Sequence, residues 1–138
     1  MEVFLDVVKN KYAEFNGRAR RKEFWMYVLV TTLITISCYV VIAIGVAFSN
    51  DLIIYFGYFL LILISFGLFI PNLAVYIRRL HDTNRSGWFL LIGVIPFIGF
   101  LILLVFLLTE GTYGPNKYGP DPKSPNSELE TIGKDELV

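Results

Sequence analysis

An all-α integral membrane architecture follows from three features of this 138-residue chain. Hydrophobic residues make up 55% of it and charged residues only 17%, where a soluble domain carries roughly a quarter charged residues. Three stretches, 24–50, 52–77 and 86–109, contain no Asp, Glu, Lys, Arg or His, and each exceeds the roughly 20 residues needed to cross a hydrocarbon core. The basic residues cluster before the first stretch and between the second and third. The length suits one membrane domain, 1–122, with spans of about 24–49, 52–77 and 86–109.

At the N-terminus, Phe4, Val8, Tyr12 and Phe15 recur at helical spacing, with Glu2, Asp6, Lys9 and Glu14 largely on other faces. This predicts a short amphipathic helix, ended by Asn16-Gly17, that lies in the membrane interface or packs under the bundle. The first apolar stretch is too long for a signal-peptide core and reads as a retained span. Six basic residues precede it, the Ser49-Asn50-Asp51 turn has none, and 78–85 carries three arginines. The positive-inside rule then predicts a cytoplasmic N-terminus, an outer turn and a cytoplasmic second connection.

Gly93, Pro96 and Gly99 divide the third stretch into halves. A kinked single span would place the C-terminal segment outside, whereas a re-entrant hairpin would return it to the cytoplasm. The single span is preferred, because the irregular turn of a hairpin must be covered by other helices. Residues 111–122 read as successive turns, and 123–138 as a disordered polar tail.

Candidate chemistry concentrates in 78–88, where Arg78, Arg79, His81, Asp82, Arg85 and Trp88 lie close together. Arginine forks suit phosphate or carboxylate, and with an interfacial indole the segment could hold an anionic headgroup. The alternatives are arginines that merely anchor the span, or an internal network in which Asp82 pairs an arginine. Adjacent His81 and Asp82 make a weak general-base pair, and no nucleophile accompanies them. The single cysteine, Cys38, excludes an intrachain disulfide and a multi-cysteine zinc site. Twelve basic residues balance twelve acidic ones, so net charge suggests no nucleic-acid partner. Tyr58, Ser65, Asn72 and Arg79 share one face of the second span, and Thr31, Thr35 and Cys38 one face of the first. These faces suit a helix–helix interface or a solute path.

Four segments, taken in order, carry a resemblance: 15–25, with Asn16-Gly17-Arg18-Ala19-Arg20-Arg21; 78–88, with Arg78-Arg79-Leu80-His81-Asp82; Ile95-Pro96-Phe97-Ile98-Gly99; and 111–122, with Tyr118-Gly119-Pro120-Asp121-Pro122. Together they resemble the domain of unknown function 805 family, small bacterial inner-membrane proteins. The resemblance implies a bacterial inner-membrane location and a few-helix fold, and it implies no catalytic or binding residues.

The functional expectation is a non-enzymatic module, without cofactor or metal, that binds a partner protein or anionic lipid through a cytoplasmic basic face. The candidate residues are Arg18, Arg20, Arg21, Arg78, Arg79, His81, Asp82 and Arg85, with Trp25 and Trp88 as interfacial anchors. The alternative is an oligomeric transporter or channel-like component for a small solute, which would require self-association.

Overall fold

The computed structural model describes residues 2–124, which are all-helical with no strand among them. The elements are α1 (Glu2–Lys9), α2 (Arg21–Ala47), α3 (Asp51–Asp82), a 3-10 helix (Gly87–Val94) and α4 (Ile98–Leu108). The expected disordered tail falls outside the described residues, apart from Lys123 and Ser124.

The helices α2 and α3 are both long and apolar enough to cross a membrane. Their 27 and 32 residues correspond to about 40 and 48 Å of rise, against about 30 Å of hydrocarbon. A Schellman closure joins them. Asn50 N donates to Gly45 O at 2.9 Å and Ser49 N to Val46 O at 3.1 Å, with Ser49 at φ 49°. The Asn50 side chain then accepts from Ile53 N at 3.2 Å and caps α3. Small residues let the helices meet: a Cβ at Gly45 would lie 2.8 Å from Ile54 N. Elsewhere the pair turns large apolar side chains outward, Leu33 57% and Phe66 77% exposed, as lipid-facing helices do.

The residues expected to share polar faces come together in part, with Thr31, Thr35 and Asn72 lining one cavity between the two helices. Tyr27 donates to Asn72 Oδ1 at 2.9 Å across the helix pair. Thr31, Thr35 and Ser65 return their hydroxyls to carbonyls of their own helices, and Cys38 is buried.

Helix α1 is shorter than its apolar spacing predicts. It ends at Lys9, where the amides of Asn10 and Lys11 both converge on Asp6 O at 2.9 and 3.1 Å. It is docked on the bundle, with Val7 fully buried and Phe4 stacked on Tyr27 at 5.6 Å. Beyond it, Tyr12 solves a problem set by Pro71. Pro71 lies inside α3 and has no N–H, so the carbonyl four residues earlier, Gly67 O, loses its helical donor. The Tyr12 hydroxyl donates to that oxygen at 2.8 Å.

Residues 78–82 are not the connecting loop that the charge pattern suggests. They are the last turns of α3, buried from Arg78 to Asp82. The helix stops in a second Schellman closure, Arg85 N to Leu80 O at 3.0 Å and Asn84 N to His81 O at 2.9 Å, with Asn84 at φ 59°.

The third apolar stretch folds back on itself, which corrects the preference for a kinked single span. The reversal is a three-residue γ-turn at Pro96-Phe97-Ile98: Phe97 adopts φ 60°, ψ −62°, and Ile98 N donates to Pro96 O at 2.7 Å. The two arms, each about 16 Å long, pack through Phe89 and Phe106 with ring centroids 5.8 Å apart. Both ends return to the last turns of α3. Gly87 abuts Ile77, and Arg79 reaches the carbonyls of Leu107 and Thr109. Among the described residues no helix covers the turn, and Phe97 is 88% exposed.

Tyr12→Phe leaves Gly67 O without that donor and is expected to cost about 0.5–1.5 kcal/mol of stability in thermal unfolding in detergent. In a Pro71→Ala background, which restores the backbone N–H, the same substitution should cost markedly less.

Candidate functional site

The C-terminal turns of α3, the 10–20 segment, the ends of the hairpin and residues 111–121 converge at one end of the bundle. Helix termini dictate the chemistry there. The last carbonyls of α3 and α4 have no intrahelical donors and carry partial negative charge, and both helices end in this region. Two arginines answer them.

Arg79 is fully buried on α3. Its Nε donates to Leu107 O at 3.1 Å, one Nη to Thr109 O, and the other to Ala19 O at 3.4 Å and to the Asp82 carboxylate one turn along. Arg18 enters from the loop before α2. Its Nε donates to Asp82 Oδ1 at 3.0 Å, Nη1 to Gly114 O at 2.7 Å and Nη2 to Thr112 O at 2.5 Å. Asp82 thus bridges two guanidinium groups, while its backbone oxygen accepts from Thr112 N at 2.8 Å. Gly111 passes so close that a Cβ there would strike the Asp82 carboxylate. A buried charge cluster of this kind holds only when its donors and acceptors are nearly all used.

A second pair lies alongside. Arg78 donates from Nη1 to Glu23 Oε1 at 2.9 Å, and Lys11 lies 2.8 Å from Asp6 and 3.6 Å from Glu23. The Nε and Nη2 of Arg78 are buried without a protein acceptor among the described residues. His81 faces away from Asp82: its Nδ1 lies 3.3 Å from Gly17 O, and its ring stacks on Tyr118 at 3.7 Å and 3°. The two neighbours therefore form no acid–base pair. Asn116 ties the 111–121 lobe to His81 O at 3.0 Å. Asp121 closes the lobe by accepting from Gly114 N at 3.0 Å and Lys123 N at 2.9 Å. Burial pushes its carboxyl up, but these two amides, with the nearby cations, hold it below the usual carboxylate range.

The ten candidate residues therefore separate. Arg18, Arg79 and Asp82 are interior and joined through the Asp82 carboxylate, with the N–H groups of both arginines directed at carbonyls and at Asp82. Arg78 gives one Nη to Glu23 and keeps two buried N–H groups without a protein acceptor among the described residues. Arg85 stacks over Phe106 at 4.0 Å and binds the hairpin to the end of α3. Arg20 and Arg21 are exposed and make no ion pair among the described residues. Trp25 packs edge-on against Phe24 at 5.2 Å, and Trp88 is 78% exposed. Glu23, Thr112, Asn116 and Asp121 were not singled out by sequence. The turn-rich composition of 111–122 marked that lobe, but not its contacts.

Two membrane-length helices, a folded-back apolar hairpin and a buried Arg-Asp-Arg cluster define a small helical membrane protein whose polar end is clamped shut. The chain belongs to the family described as protein of unknown function (DUF805), whose profile matches residues 12–120. It is 45% identical over 126 residues to inner membrane protein YhaI of Escherichia coli K12, covering 89% of this chain and 97% of that one. It is 43% identical over 131 residues to inner membrane protein YhaH of the same strain, covering 89% and 98%. It is also 30% identical to the uncharacterized protein YiiR of that strain, covering 78% and 84%. No solved structure matches it. These relatives support a bacterial inner-membrane location.

Asp82→Asn strands two buried guanidinium groups and is expected to destabilise the protein by about 3–5 kcal/mol, read as unfolding in detergent. Arg18→Lys should be similarly damaging, since one ammonium cannot reproduce the planar fork.

Proposed function

We propose that this protein is a non-enzymatic, multi-pass inner-membrane module that binds anionic phospholipid at its cytoplasmic surface. The carrying observation is the division of its cations. Arg18, Arg78 and Arg79 are buried, Arg18 and Arg79 with their donors used internally, whereas Arg20, Arg21 and Lys22 are exposed together at the start of α2. Directly below them a groove of about 510 Å³ runs along α2, lined by Lys22, Trp25, Met26 and Leu29. A phosphate at the cations and an acyl chain along Trp25, Met26 and Leu29 match both parts.

The orientation belongs to the same reading. Among the described residues every Lys and Arg lies at the end where the hairpin returns, and the opposite turn carries only Asp51. The positive-inside rule makes the basic end cytoplasmic. Hairpin arms of about 16 Å then reach only about halfway into the bilayer, which makes the third segment re-entrant and leaves residues 111–124 in the cytoplasm. Transport by an oligomer has less support, since the hydroxyls of Thr31 and Thr35 are turned onto their own helix.

Native mass spectrometry from mild detergent should show phosphatidylglycerol retained over phosphatidylcholine. Replacing Arg20, Arg21 and Lys22 together by Gln should weaken that retention roughly a hundredfold, at about 1 kcal/mol per basic residue. Unchanged retention would sink the proposal. For sidedness, Cys38→Ser removes the native thiol. Ser49→Cys should then label with a membrane-impermeant reagent in intact cells, and Ser124→Cys only after lysis. External labelling at residue 124 overturns the re-entrant reading.

A further inference from the structure

A separate cavity of about 370 Å³ lies where the 15–16 loop, the end of α3 and the 3-10 helix meet. Phe15, Ile77, Trp88, Leu90 and Leu91 form apolar walls, and none of the lining residues carries a carboxylate, ammonium or guanidinium. Asn16, His81 and Ser86 supply its polar groups. Exposed Trp88 and Leu91 leave it open along the hairpin's flank. The site is distinct from the Arg20–Lys22 cluster in both place and chemistry.

His81 sets what can bind. Its plane is held by the Tyr118 stack, and Gly17 O lies at Nδ1. A carbonyl only accepts, so Nδ1 carries the proton, and in the neutral ring Nε2 presents a lone pair. Nε2 makes no hydrogen bond to protein among the described residues, and His81 is one of the residues lining the cavity. The occupant must therefore donate a hydrogen bond, needs no charge, and brings an apolar chain to the walls.

We propose that this cavity binds an uncharged, hydroxyl-bearing lipid of the diacylglycerol or long-chain alcohol class, with its hydroxyl donating to His81 Nε2 and its chain lying against the 3-10 helix.

The test uses Trp88 as reporter, since Trp25→Phe leaves it the sole tryptophan. The protein is placed in phosphatidylcholine bilayers doped with brominated diacylglycerol, or with its acetylated analogue, which lacks the hydroxyl. Diacylglycerol should quench Trp88 at about fivefold lower mole fraction than the acetylated lipid, the worth of one hydrogen bond. His81→Phe keeps an aromatic ring against Tyr118 but removes the acceptor, and should abolish that preference. Leu91→Phe leaves His81 intact and narrows the cavity, so it should weaken quenching by both lipids even where the histidine variant fails to fold. Equal quenching by the two lipids in the unsubstituted cavity overturns the proposal. So does equal quenching by brominated phosphatidylglycerol, which would mark the surface as ordinary lipid contact. Neither result bears on the retention measured for the Arg20–Lys22 cluster.

Discussion

Asp82 holds two guanidinium groups, one from its own helix and one from the loop before α2, and the polar end of the protein is organised around that contact. Arg18 is 64 residues away and Arg79 only three, so the carboxylate ties the loop before α2 to the last turn of α3. Each arginine carries the tie further. Arg79 reaches the end of α4, and Arg18 reaches the 111–114 segment. Removing charge from water is expensive, and the cluster tolerates it because the helix termini already present carbonyl dipoles that need donors. One set of bonds therefore terminates two helices and fixes the hairpin and the lobe.

Length sets the second constraint. Helix α3 is longer than a bilayer is thick, and its burial is concentrated beyond Pro71. The apolar part of the helix faces outward, and the surplus turns serve as a post around which α1, the 10–20 segment, the hairpin and the lobe assemble. Pro71 marks the transition, and Tyr12 repairs the backbone there. That repair binds the N-terminal segment to α3 independently of the arginines.

A clamp that uses its cations internally separates structure from recognition. Outside that clamp lie exposed Arg20, Arg21 and Lys22 beside a groove, and a cavity lined by uncharged side chains together with His81. These differ in charge, in depth and in the element that forms them. A change at one need not disturb the other, because neither shares a side chain with the Asp82 cluster.

The two long helices, their shared turn and the bacterial inner-membrane family were all legible in the sequence, because hydropathy, helix-capping residues and ordered motifs are local properties. The polar turns of 111–122 were legible for the same reason. The fate of each charge was not. The run from Arg78 to Arg85 reads as an exposed connection, since nothing nearby reveals that five of its residues continue a helix under cover of segments 60 positions before and 30 after. The fold-back at Pro96 was equally open, because a proline in an apolar run permits a kink or a reversal. Only the carbonyls of Leu107 and Thr109 meeting Arg79 decide between them. The sequence by itself determined which segments are apolar enough to cross a membrane. Tertiary structure decided which arginines are interior and which are exposed, because burial depends on partners that local pattern does not contain.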